Sequence, residues 1–230
     1  MKILPFDVHC HILPGVDDGF RTASDSLEAI SLMAQAGCRE IVFTPHMNPD
    51  VYPDESEEHF REVYDSFVPQ IPSEWGVKTS LAAEYMIVPG FEERAAKPEF
   101  LLCRPDGSIL VEMSYMYRSS NLEQTLFDLN MAGLHPILAH PERYPYMSRR
   151  LKDFERLQDI GCRFQMNYLS LSGKYGPESL RILSHLLDEG MYSFVATDLH
   201  STAQLRTILE SVPVRKVRKS FEKFLSNSVI

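Results

Sequence analysis

Basic residues are in short supply: 23 Lys and Arg stand against 32 Asp and Glu, a net charge of −9 over 230 residues. A general polyanion binder draws its affinity from neutralising phosphates, so this balance argues against a nucleic-acid partner while leaving room for a local basic pocket. Cysteine is scarce too. Cys10, Cys38, Cys103 and Cys162 form no Cys-x-x-Cys pair and sit mostly beside apolar residues, which argues against disulfides and predicts reduced, buried thiols in a cytoplasmic protein. Long apolar runs are missing: no segment approaches the roughly 20 residues of a membrane span, and Met1-Lys2-Ile3-Leu4-Pro5 holds no stretch of signal-peptide length. No direct membrane insertion is expected. Repeats, low-complexity tracts and Gly/Ser linkers are absent, and 44% hydrophobic content suffices for one core, so a single domain over 1–230 is expected.

What is present is an alternation of short apolar runs with segments of helical period, the pattern of parallel βαβ units. Strands are expected near 5–9, 40–44, 78–83, 108–112, 135–139, 163–167 and 192–197. Between the first two, Thr22 or Ser24 can cap a helix carrying Leu27, Ile30, Met33 and Ala34, stopped by Gly37. Further helices are expected over 55–68, 121–132, 151–160, 177–189, 202–210 and 214–226, with long loops at 69–76 and 97–107. The fold class is α/β, with seven expected strands and a length compatible with a single α/β barrel, whose commonest form has eight.

His9 and His11 carry the strongest chemical signal, because the two-residue repeat of a strand puts both imidazoles on one face. Further potential ligands follow the other expected strands or lie in loops: Asp17-Asp18-Gly19, Thr44-Pro45-His46, Ala83-Glu84, Val111-Glu112, Ala139-His140-Pro141-Glu142-Arg143 and Asp198-Leu199-His200. Most lie at C-terminal strand ends, the rim where β/α barrels build active sites. His9, His11, Asp18, His46, Glu84, Glu112, His140, Asp198 and His200 offer nitrogen and oxygen but no sulfur, a donor set suited to manganese, iron or zinc in hydrolytic work. Nine groups exceed the needs of one ion; two or three ions sharing a carboxylate can use them, activate water and clamp phosphoryl oxygens. His59, in an acidic helical run, and His185, in an apolar helix, read as structural or solvated, and His135 as far from the rim.

These motifs, from Asp7-Val-His-Cys-His-Ile-Leu-Pro-Gly-Val-Asp-Asp-Gly19 through Thr44-Pro-His46, Ala83-Glu84 and the Gln124 to Arg143 stretch to Thr197-Asp-Leu-His200, resemble the PHP (polymerase and histidinol phosphatase) superfamily. Within it they are similar to the bacterial metal-dependent protein-tyrosine phosphatases of the CpsB/YwqE type, found with capsule and exopolysaccharide systems. The resemblance implies a distorted (β/α)7 barrel and three divalent ions, manganese ahead of iron or zinc. His9, His11, Glu112 and Asp198 would hold the first, Glu84, Glu112 and His140 the second, and Asp18, His46 and His200 the third, with Glu112 as the bridge. Asp17 is left to turn the loop before Gly19. Met47 and Leu199 depart from the family pattern without removing a ligand. The implied activity is hydrolysis of phosphotyrosine by a metal-activated hydroxide, and the implied partner is the cytoplasmic tail of a membrane tyrosine autokinase.

Arg143, three residues after His140, can present a bidentate fork to two phosphoryl oxygens; the plainer alternative is an ion pair with Glu142 or Asp153. Arg21 and Arg206 are further candidates for substrate binding, and Asp198 and His200 join Arg143 as candidate catalytic residues. Tyr115-Met116-Tyr117 either lines the substrate mouth or packs a loop. The same metal scaffold would also serve a histidinol-phosphate or other small phosphomonoester phosphatase, with selectivity set by 47–54, 113–121 and 144–150; a noncatalytic PHP-fold regulator and a PHP nuclease rank lower.

Overall fold

The computed structural model describes residues 5–227; residues 1–4, on which the expectation of no leader partly rests, and 228–230 lie outside the described part. Nine short parallel strands follow one another among the described residues: β1 (Phe6–Cys10), β2 (Glu40–Phe43), β3 (His46–Met47), β4 (Lys78–Leu81), β5 (Glu84–Met86), β6 (Ser108–Glu112), β7 (His135–Ala139), β8 (Arg163–Asn167) and β9 (Tyr192–Ala196). They pair as two sheets, β1-β2-β4 and β3-β5-β6-β7-β8-β9. The helices between and after them are α1 (Ala23–Gln35), α2 (Glu57–Phe67), α3 (Phe91–Ala95), α4 (Leu122–Met131), α5 (Lys152–Asp159), α6 (Gly176–Asp188), α7 (Thr202–Glu210) and α8 (Arg215–Asn227).

Nine strands make seven staves, because two staves are broken. β2 stops at Phe43, and after Thr44-Pro45 the chain resumes as β3; β4 stops at Leu81, and after Ala82-Ala83 it resumes as β5. Of the lower halves, β2 pairs with β1 and β4 with β2, and the upper halves join the β6 sheet, with His46 opposite Glu84 and Met86 opposite Glu112. Pro45 has no N–H to continue a ladder, but its carbonyl accepts from Glu84 N at 3.0 Å, and Phe43 O accepts from Ala82 N at 2.8 Å. The strand expected over 78–83 ends at Leu81 as β4, and β3, β5 and α3 are additions; segments of two to five residues are too short to display a period.

The barrel closes where β1 meets the chain beyond β9. His11 N donates to Leu199 O and Asp198 N to His9 O, each at 2.9 Å. Asp7 adds a staple: Oδ1 accepts from Thr197 N at 3.0 Å and Oδ2 from the Thr197 hydroxyl. Together the staves form a distorted (β/α)7 barrel. Its helices bury apolar stripes against the outer strand faces, and α1 is capped by Thr22, whose side chain accepts from Asp25 N. Inside, Leu110, Ile137 and Ala139, with Phe194 against them, form an apolar floor. The four cysteines are free and three are buried. Among the described residues, no helix is long and apolar enough to cross a membrane.

Burial pushes the Asp7 carboxyl up to about 6, against the pull of the Thr197 hydrogen bonds, so at pH 8 the staple is ionic. Asp7→Ala leaves two Thr197 donors without their acceptor and should cost about 2–4 kcal/mol in urea unfolding at pH 8. Asp7→Asn keeps an acceptor and a donor for Thr197 and should cost about 1 kcal/mol or less. Equal losses would show that charge, not these bonds, holds the closure.

Candidate metal centre

Continuing each stave past the apolar floor brings the candidate ligands together. Glu84 lies at the middle. Its Oε2 is 3.3 Å from His9 Nε2, 3.4 Å from His11 Nε2 and 3.1 Å from His46 Nδ1, while Oε1 is 3.1 Å from His140 Nε2. Glu112 Oε1 approaches His46 Nδ1 at 3.0 Å, and Asp198 Oδ1 lies 3.4–3.5 Å from His9, His11 and His200. Asp18 Oδ1 faces the Nε2 atoms of His46 and His200 at 3.5 Å. All nine candidates fall into four overlapping groups whose ligand atoms lie within 4.8 Å of one another: His11, Asp18, His46 and His200; His9, His11 and Glu84; His9, His140 and Asp198; and His46, Glu84 and Glu112. His59, His135 and His185 stay outside these groups. The resemblance puts the shared carboxylate at Glu112; in the structure Glu84 meets four imidazoles.

These residues fit divalent cations. His46 Nδ1, Glu84 Oε2 and Glu112 Oε1 converge, buried, without a hydrogen bond to satisfy any of them. Burial alone would raise the Glu84 and Asp198 carboxyls, yet His9 and its neighbours outweigh it and hold both well below the usual range. Burial also opposes charge on His46, but Glu84 and Glu112 raise it to about 10. Carboxylates that draw protons onto buried imidazoles concentrate a negative field that a cation answers more directly.

A sequence model of the capsular polysaccharide synthesis family CpsB/CapC matches residues 5–229. The chain belongs to the CpsB/CapC family. The tyrosine-protein phosphatase YwqE of Bacillus subtilis (strain 168) is 31% identical over 196 residues, 85% of this chain and 77% of that protein. The tyrosine-protein phosphatase CpsB of Streptococcus pneumoniae is 25% identical over 206 residues, covering 85% and 82%. A crystal structure from work on YwqE and CpsB, described as unique metal-dependent tyrosine phosphatases, matches with a TM-score of 0.73 at 27% identity, covering 98% of this chain and 96% of that one.

In this CpsB/CapC chain, several of the candidate ligands are held by their other atom. Gln165 Oε1 accepts from His140 N at 3.3 Å, and its Nε2 donates to Met166 O at 2.7 Å, which fixes the amide orientation. The 2.8 Å contact from His9 Nδ1 to that same Oε1 therefore carries a proton on Nδ1 and leaves the Nε2 lone pair for the site. Asp17 does the same for His11 Nδ1 at 2.8 Å while turning the loop through Gly19 N at 2.9 Å. Only glycine fits there, because a Cβ on Gly19 would lie 2.1 Å from His11 O. Asp198 Oδ2 is taken by Asn167 Nδ2 at 2.8 Å and Arg143 Nη1 at 2.6 Å. Two of the candidate ligands, His140 at φ 32° and Asp198 at φ 49°, occupy the left-handed region, at a cost of about 1–3 kcal/mol each.

Arg143 pairs with neither Glu142 nor Asp153. Glu142 is buried and accepts from Asn167 N, the Ser170 hydroxyl and the Tyr192 hydroxyl. Asp153 pairs with Arg150. Arg143 lines a cavity of ≈ 300 Å³ together with Asp18, His46, Glu112, Asp198 and His200, and Tyr52 and Tyr115 contribute aromatic wall. Neither Arg21 nor Arg206 lines it. Leu205 and Ile208 turn inward from α7, so Arg206 points out and pairs with Glu28 at 3.0 Å. Met47 and Leu199 are core residues. Of the expected selectivity segments, 47–54 and 113–121 reach the cavity, whereas 144–150 props the second: Tyr144 Oη accepts from Met113 N, and Tyr146 Oη donates to Ser114 O.

Gln165, absent from the sequence-based list, gives a direct test. Gln165→Leu removes the acceptor for His9 Nδ1 and should weaken manganese binding about 10- to 100-fold in competition with a chelating dye. Gln165→Glu keeps the acceptor and should bind near wild type. A Leu variant with undiminished affinity would refute the tautomer assigned to His9.

Proposed function

We propose that this chain is a metal-dependent protein-tyrosine phosphatase. One observation carries the reading: five imidazoles and four carboxylates converge in one cluster, and five of these nine groups line a cavity with an arginine on its wall, in a family whose relatives include the tyrosine-protein phosphatases YwqE and CpsB. Three divalent ions, manganese ahead of iron or zinc, are the proposed cofactors; the nine candidate ligands would hold them, and Glu84, which belongs to two of the four groups, would be the carboxylate placed for sharing. Such ions supply Lewis acidity that activates a water nucleophile and neutralises phosphoryl oxygens.

The protein's own groups do the rest. Arg143 offers its remaining N–H donors to equatorial phosphoryl oxygens, stabilising charge where it builds up. Asp198 anchors that arginine and stays ionised, a ligand rather than a proton donor. His200 donates its Nδ1 proton to Asp198 O at 2.9 Å, turning Nε2 toward Asp18 and a ligand role. Tyr52 and Tyr115 supply faces for the substrate's ring. A phenolate leaving group, pKa about 10, requires little proton donation. The physiological substrate we propose is the tyrosine-phosphorylated cytoplasmic tail of a membrane autokinase in capsule or exopolysaccharide synthesis, met by a cytoplasmic, single-domain enzyme; the family match over 5–229 supports that extent.

Phosphate release from a phosphotyrosine peptide and from histidinol phosphate, assayed side by side with manganese and with a chelator, is the test. Metal-dependent turnover of the peptide, with much slower release from histidinol phosphate, is expected; the reverse preference would move the enzyme to small phosphomonoesters. Glu84→Gln, which cannot share a carboxylate between cations, should lower kcat/KM for the peptide by more than about a hundredfold. Retained turnover would remove Glu84 from the centre.

A further inference from the structure

Arg143 is held by more than its ion pair. Its guanidinium carbon lies 4.6 Å from the ring centroid of Tyr115 and 4.6 Å from that of Tyr175, while Nη1 is fixed at 2.6 Å from Asp198 Oδ2. The two rings come from distant parts of the chain. Tyr115 follows β6, and Tyr175 directly precedes α6, at the end of the connection from β8. Tyr115 lines both the catalytic cavity and an adjoining cleft of ≈ 250 Å³, whereas Tyr175 lines only the cleft. Tyr175 therefore meets Arg143 without facing the catalytic cavity.

A long arginine side chain loses rotamer freedom whenever it makes a directed contact, and that loss weakens the contact unless it is met beforehand. Planar guanidinium stacks on aromatic faces, and two faces together with one carboxylate bond restrict both its position and its tilt. We propose that Tyr175 is a positioning residue for phosphoryl recognition: with Tyr115 it clamps the Arg143 guanidinium, so that the N–H groups not engaged by Asp198 are presented to the cavity. The inference rests on the reading of Arg143 as a phosphoryl ligand given above. Tyr175 does not touch the reacting atoms and acts through Arg143.

The test is a mutant cycle on the manganese-loaded protein with two readouts, the dissociation constant of inorganic phosphate by calorimetry and kcat/KM for a phosphotyrosine peptide. Tyr175→Leu should weaken phosphate binding and lower kcat/KM, each roughly three- to thirty-fold. Tyr175→Phe keeps the ring face and should stay within about twofold of wild type. In an Arg143→Ala background, Tyr175→Leu should change neither quantity further, because the ring has nothing left to hold. Should Tyr175→Leu fail to fold, Tyr175→Met supplies similar bulk without a ring.

Equal losses in both backgrounds would overturn the clamp by placing the effect elsewhere. A Phe variant as impaired as Leu would overturn it by assigning the effect to the hydroxyl. Unchanged phosphate affinity in Arg143→Ala would overturn it by removing its object. Phosphate binding that obeys the cycle, without phosphotyrosine turnover, would uphold the clamp and overturn the proposed function instead.

Discussion

Glu84, fully buried, faces His9, His11, His46 and His140 across gaps of 3.1–3.4 Å, and around this contact the upper barrel is arranged. A buried carboxylate is costly unless its oxygens are paired. Here one oxygen is left without a hydrogen bond, and three imidazoles of the cluster are kept from swinging away by partners on their far sides. Gln165 restrains His9, Asp17 restrains His11, and the Asp198 carbonyl restrains His200. The side chains are preorganised to point at one another, an arrangement that works against stability and in favour of cation binding.

The two broken staves make that convergence possible. An unbroken second strand would continue its pairing with β1, and an unbroken third its pairing with the second. Pro45 interrupts one ladder, and the Ala82-Ala83 step shifts the other, so β3 and β5 swing over to the β6 side with His46 and Glu84 as their first residues. The backbone is strained at the same rim, beyond β7 and β9. His140 and Asp198 both sit at positive φ, a conformation that His and Asp tolerate better than most side chains, so residues chosen for chemistry also suit the turns.

Much of this was legible in the sequence, and the reasons for the rest are physical. Seven staves and most of their helices follow from period and capping, and most of the nine candidate ligands sit beside apolar runs that betray strand ends, Asp18 lying in a loop instead. Gln165 and Asn167 gave no such signal. They alternate with Phe164 and Met166 in β8, but only the fold shows that their face is the barrel interior. Asp17 was assigned to the loop alone because its second oxygen finds His11 and His46 N only in three dimensions. Arg206 misled for the opposite reason: it follows the last motif closely, yet the phase of α7 turns it outward. Proximity in sequence to a motif carries no information about the face of a helix.

The Ala139 to Arg143 segment shows how adjacent residues divide one task. His140 enters the cluster, and Pro141 starts a single turn that reverses the chain. Glu142 then goes inward, where Asn167 N, Ser170 and Tyr192 donate to it and tie the turn to the segment after β8. That tie has a consequence for Arg143, because the same segment leads on to Tyr175 and because Asn167 shares Asp198 Oδ2 with Arg143. Asp198 thus receives the arginine through one oxygen and faces the imidazoles with the other. Whatever moves that carboxylate moves both sides of the cavity together, so the placement of Arg143 and that of the imidazole cluster are coupled through one buried residue.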